Sequence, residues 1–178
     1  MKKLLLLLLI LIVLLSCGRG GKELYTAPSR VVPDSFAIGL NLFNKGRAAS
    51  RNSANMDSVL FYMQLAENFF KREGDKAQVN RFIAFIYSSR GMLDEAMPYF
   101  LKASRMANEW QYSSICQEVA KVYAAAGRFR EGVLVMDLIR KNMNDRTVVP
   151  YYHLAKGNLW AGVNEYDSAV TYYRTASI

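Results

Sequence analysis

One histidine and two cysteines are all that 178 residues offer for imidazole or thiol chemistry. That is too few for a Cys/His zinc site or a disulfide framework. Glycine (11) and proline (4) together fall below their average usage of about 12%, which removes collagen-like, low-complexity and turn-rich β architectures. Acidic residues are outnumbered 15 to 23, giving a formal net charge of +8, but the basic residues are spread along the chain and form no nucleic-acid stripe. At roughly 100–200 residues per domain, the length allows one globular unit or one short repeat array and disfavours a two-domain enzyme. What the chain does have is hydrophobic residues (52%) and aromatics (12%), a balance that favours helices around an apolar core.

The only long apolar run, Leu4 to Leu15, follows Lys2 and Lys3 and leads into Ser16, Cys17 and Gly18. At about 1.5 Å per residue it covers roughly 18 Å against a hydrocarbon core of about 30 Å, so it fits an export signal better than a membrane span. An ordinary secretory signal would share its basic and apolar regions. The segment Leu14-Leu15-Ser16-Cys17 resembles the lipobox of bacterial lipoproteins, in which the cysteine is diacylated and the signal is cleaved before it. The resemblance implies a signal peptide over 1–16 and a lipid on Cys17, with several acyl (palmitate-like) chains holding the protein on a membrane that it does not cross.

Loss of Lys2 and Lys3 with that signal lowers the net charge to +6. Residues 17–33 then read as a flexible, lipidated tether, with Gly18, Gly20, Gly21, Pro28 and Pro33 interspersed among Arg19, Lys22 and Arg30. Those cations either rest on anionic headgroups or simply keep a linker soluble. Surface-exposed lipoproteins of some Gram-negative groups carry an acidic cluster after the cysteine; here the residues are basic, so the expected location is the periplasm-facing side, on the outer membrane.

Self-similarity organises the remainder. Met56–Ala66, Leu93–Ala103, Phe129–Ile139 and Tyr166–Ala176 align without gaps at spacings of 37, 36 and 37 residues. Each places valine or a small residue three after its first (Val59, Ala96, Gly132, Ala169), a bulky one seven after (Met63, Phe100, Met136, Tyr173) and a small or aliphatic one ten after (Ala66, Ala103, Ile139, Ala176). These offsets mark one helical face. Ahead of the later segments runs a second helical pattern: Ile83, Ala84, Tyr87, Gly91; Val119, Ala120, Tyr123, Gly127; Gly157, Trp160, Asn164. Its glycine or asparagine falls where a left-handed residue ends a helix. Each unit is therefore helix, tight turn, helix, with Ala84/Ala96, Ala120/Gly132 and Gly157/Ala169 letting the two helices approach.

This order of small residue, aromatic, turn glycine, alanine, aromatic and alanine resembles the tetratricopeptide repeat (TPR) over Ala77 to Ala176, and less regularly over Asp34 to Arg72. The resemblance implies an all-α fold, an α-solenoid of tetratricopeptide-like helical hairpins spanning 34–178 in about four units, the first irregular. Gly132 and Ile139 depart from the family's alanines, Asn144 stands where proline is frequent, and the polar stretch Ala48–Asn55 should lengthen the first unit's turn. Helices are expected near 34–46, 56–72, 76–90, 93–107, 112–126, 129–142, 150–162 and 166–177. Pro98, about a turn from its helix start, should kink that helix slightly.

Chemistry has few carriers. His153 has no partner for a triad and reads as structural or exposed. Cys116, among Ile115, Val119 and Ala120, reads as a buried small hydrophobe. Asp94-Glu95 is explained by a helix start. No phosphate loop, metal-spaced cluster or acid/base pair is present in the sequence, so neither enzyme activity nor a cofactor is expected. Of the tyrosine pairs, periodicity leaves Tyr151 and Tyr172 as the exposed members.

The family resemblance implies protein binding on the face made by each unit's first helix. Its inward positions hold Gln78, Arg81, Phe85, Ser88 and Ser89; Ser114, Gln117, Lys121, Ala124 and Ala125; then Tyr151, Leu154, Asn158, Ala161 and Gly162. Arg81 and Lys121 should reach one ligand, suiting a peptide with one or two acidic groups, although the family's carboxylate clamp is not reproduced. The expected role is a membrane-anchored adaptor or scaffold in a bacterial envelope complex, with a protein or peptide partner and no nucleic acid; the alternative is the sensory or regulatory input region of a longer signalling protein. Val170, Tyr173 and Ile178 would leave an apolar C-terminal edge, implying self-association or a truncated product.

Overall fold

A computed structural model of the chain describes residues 34–51, 55–140 and 149–177. Cys17, the signal, the tether, Asn144 and Ile178 lie outside these residues. The described part is all-α: α1 (Ser35–Arg51), α2 (Met56–Phe69), α3 (Glu73–Ser89), α4 (Leu93–Met106), α5 (Glu109–Ala125), α6 (Phe129–Ile139), α7 (Val149–Gly162) and α8 (Tyr166–Ala176), with no strand among the described residues.

The repeat's punctuation is visible at three turns. Gly91 and Gly127 sit at φ 76° and 70°, and Asn164 at φ 66°, in the left-handed region that glycine enters freely and asparagine tolerates. The hydrogen bonds repeat as well. Met92, Arg128 and Glu165 donate their backbone N–H to the carbonyls of Tyr87, Tyr123 and Trp160, while Gly91, Gly127 and Asn164 donate to Ser88, Ala124 and Ala161. This double closure satisfies carbonyls that a helix end leaves open.

Consecutive helices pack as the pairs α1/α2, α3/α4, α5/α6 and α7/α8; the first pair meets the second through α2/α3, the second meets the third through α3/α5, α4/α5 and α4/α6, and the third meets the fourth through α5/α7 and α6/α7. The links between neighbouring pairs carry the repeat's spacing. Gln111 donates to the Gly74 carbonyl at 2.8 Å and Arg81 to Glu118 at 3.2 Å, each across 37 residues; Lys102 reaches Glu67 across 35 and Arg128 reaches Asp94 across 34. Ala84, Ala96, Phe100 and Ala103 are fully buried in one apolar cluster. Two apolar clusters result, one centred on Met63 and Ile83 and one on Phe100, Tyr112 and Met136. Tyr87 and Tyr99 pack against both and stack on each other at 5.6 Å.

Several boundaries differ from expectation, for local reasons. α1 continues through Ala48 to Arg51 instead of giving way to a turn, since Ala48 and Ala49 favour helix. α5 starts at Glu109, not 112, because Asn108 accepts the Gln111 N–H while the Gln111 side chain accepts the Asn108 N–H, a complete capping box. α6 stops at Ile139, short of 142; the Tyr112 hydroxyl, 27 residues away, donates to the Ile139 carbonyl at 3.0 Å and satisfies the open helix end. α4 runs through Pro98 unbroken.

Candidate functional site

The candidate face is built on α3, α5 and α7, whose outward stripes come from residues spaced by three and four. None of the fifteen inward positions expected from sequence is fully buried. Two clefts gather most of them. The first lies between α3 and α5 and is lined by Phe85, Ser88, Ser89, Lys121 and Ala125, together with Leu93, Val122 and Ala126. The second lies between α5 and α7, with Ser114, Gln117 and Tyr151 joined by Glu109, Trp110 and Ser113. Leu154 is exposed beside Tyr151 on α7, and Gln78 is half-buried near the start of α3.

Trp110 was not among the sequence candidates, yet it is 72% exposed, more than any other large apolar side chain of the described residues. The signal was present: with α5 starting at its capping box, residues 110, 114, 117 and 121 form one stripe at helical spacing.

Three of the residues expected on this face are already engaged. Arg81 does not share a ligand freely with Lys121, because its guanidinium is paired with Glu118, which comes from the same face of α5. Burial pushes the Glu118 carboxyl above its ordinary pKa, against the pull of Arg81 and Lys121, and its Oε2 is buried without a hydrogen-bond partner. Asn158 is engaged by the Tyr173 hydroxyl at 2.8 Å. The space beside Gly162 is taken: a Cβ there would come within 2.2 Å of the Phe129 ring. Lys121 is exposed and makes no ion pair among the described residues.

The remaining chemical candidates are structural. Cys116 is fully buried, and desolvation pushes its thiol up to about 12, so it stays protonated and unreactive at neutral pH. His153 is half-buried, stacked on Tyr172 at 5.6 Å and edge-on to Tyr152 at 5.3 Å. Its pKa is lowered by burial and by the nearby Arg140 and Lys156 charges. Tyr172, expected to be exposed, is half-buried because it covers both His153 and the Lys156 ammonium, which lies 4.9 Å from its ring centre.

Lys156, overlooked in the sequence, is 5% exposed and paired with Asp137, which also accepts the Tyr152 hydroxyl at 3.1 Å. Burial is the largest single effect and works against its ammonium, but the hydrogen bonds to Asp137 and Tyr172 and the attraction of Tyr152 and Asp137 together raise the pKa. No group of three His, Cys, Asp or Glu among the described residues is placed to hold a metal ion. No described helix is long and apolar enough to cross a membrane. The sequence matches no protein-family model and no curated protein.

Proposed function

We propose that this chain is a lipid-anchored tetratricopeptide-type adaptor of a bacterial envelope complex, holding a protein partner on the face of α3, α5 and α7. The observation that carries the reading is the coincidence of repeat period and packing: α3 and α5 lie side by side, linked twice across 37 residues, α7 packs on α5 in turn, and two clefts open between them with Phe85, Trp110, Tyr151 and Leu154 left exposed. Exposed aromatics in adjoining clefts are the side chains that most often anchor a partner. An α-solenoid accounts for this arrangement, since each helix pair covers its apolar face only by stacking on the next. The lipobox-like Leu14–Cys17 segment supplies the anchor in this reading.

Two measurements test it. A photo-crosslinking residue at Gln117 should capture a defined envelope protein in living cells, and the same residue at Phe61 on α2 should not; equal capture from both positions removes the face from the account. Metabolic fatty-acid label should enter the wild-type chain and be lost in Cys17→Ser. Label that persists in the variant refutes the anchor.

A further inference from the structure

The two clefts differ in chemistry, and that difference selects a ligand. The α3/α5 cleft is walled by Phe85, Leu93, Val122 and Ala126, with Lys121 at its edge. Arg81 and Glu118 offset each other, so Lys121 leaves the region with one net positive charge. This pairing of apolar wall and unpaired ammonium fits a methyl-bearing side chain with a carboxylate beside it.

The α5/α7 cleft instead sets the exposed indole of Trp110 near the half-exposed phenol of Tyr151. Its serine hydroxyls are already committed: Ser113 and Ser114 donate to the Trp110 carbonyl at 2.8 and 3.1 Å. Gln117 alone on that stripe presents an exposed amide with no hydrogen bond among the described residues. Flat rings and one free amide suit a ring-bearing residue whose adjacent backbone meets the amide.

Both clefts share α5, and about ten residues of helix separate their centres along its axis, roughly 15 Å at the α-helical rise; they open on opposite flanks of α5, which adds about 10 Å sideways at the usual interhelical spacing and makes the separation roughly 18 Å. An extended chain covers that distance in about five or six residues. We propose that the adaptor face takes an extended peptide carrying an aliphatic residue next to Asp or Glu at the Phe85–Lys121 cleft and a proline or aromatic residue at the Trp110–Tyr151 cleft, about five or six positions away. This occupant rests on the adaptor reading above.

The test uses the full chain in detergent micelles as bait for a displayed random dodecapeptide library, followed by fluorescence anisotropy with synthetic consensus peptides. The expected consensus pairs an aliphatic–acidic step with a ring at that spacing. Lys121→Gln should weaken the consensus peptide roughly tenfold and leave its amide (Asp→Asn) version unchanged, while Trp110→Ala should weaken both. Both side chains are exposed, so the variants should fold as wild type by circular dichroism. Binders with no acidic group, or binders indifferent to both substitutions, overturn this occupant and leave the adaptor reading standing, because they bind elsewhere. A selection that enriches nothing also overturns the occupant; the adaptor reading falls with it only if crosslinking from Gln117 captures no protein.

Discussion

Lys156 keeps a charge in a site that is only 5% exposed, which is tolerable because Asp137 accepts its proton donors and the Tyr172 and Tyr152 rings lie at 4.9 and 5.8 Å. Removing the carboxylate strands the ammonium. Asp137 is about half exposed, so solvent softens the penalty, and Asp137→Ala should cost about 1–3 kcal/mol in urea unfolding. Adding Lys156→Met should recover most of that loss; a double variant no more stable than the single one contradicts the pairing. His153 beside it acts through pH. Its folded pKa is depressed, so below the unfolded value of about 6.5 the unfolded chain binds the proton first. Stability should therefore fall as pH drops through that range and level off below the folded pKa, and His153→Gln should flatten the slope between pH about 7.5 and 5.5. The Glu118 shift is in the opposite direction, upward, so it adds stability only as the pH falls into the carboxylate range. Neither role was legible in advance: His153 reads only as structural or exposed, and nothing local singles out Lys156 until Tyr172 folds over both.

At the scale of the helices, the sequence is explicit where the signal is local. All eight helices of the described residues were expected, and Gly91, Gly127 and Asn164 take the left-handed turns that their spacing implied. The start of α5 was also readable, since Asn108-x-x-Gln111 is a capping box in plain sequence; repeat spacing pointed three residues later and the cap prevailed. The end of α6 was not readable, because it depends on a hydroxyl 27 residues away. Gly132 shows the same limit. Its departure from alanine has a cause in packing: a Cβ there would lie 2.8 Å from both the Tyr123 Cβ and a Leu159 methyl. Leu159 can rotate away, but the Tyr123 Cβ is fixed to the α5 backbone. Gly132→Ala should therefore destabilise the protein by about 1–3 kcal/mol despite alanine's better helix propensity, as measured by chemical denaturation. A stability gain would mean that α5 and α6 can separate at no cost.

At the scale of the whole molecule, the question is whether eight helices behave as one cooperative body or as an array coupled through neighbours. The core divides into two clusters, with Tyr87 and Tyr99 packed against both, and helices far apart in sequence have few direct contacts, each pair touching the next. Pairwise coupling of this kind makes stability a sum of unit and interface contributions, so damage stays near its origin. Met63 is fully buried in the first cluster and Met136 in the second, and truncating either to alanine should cost about 2–5 kcal/mol locally. In hydrogen exchange, Met63→Ala should expose the amides of α1 and α2 first, weaken α3 less and leave α5 to α8 at wild-type protection; Met136→Ala should produce the mirror image. The candidate face spans α3, α5 and α7, so Met63→Ala should also leave the Trp110–Tyr151 cleft intact while loosening the Phe85 side through α3. Loss of protection that spreads evenly over all eight helices in either variant would show a single cooperative core, and the array reading, with the repeat stacking on which the adaptor proposal depends, would have to be given up.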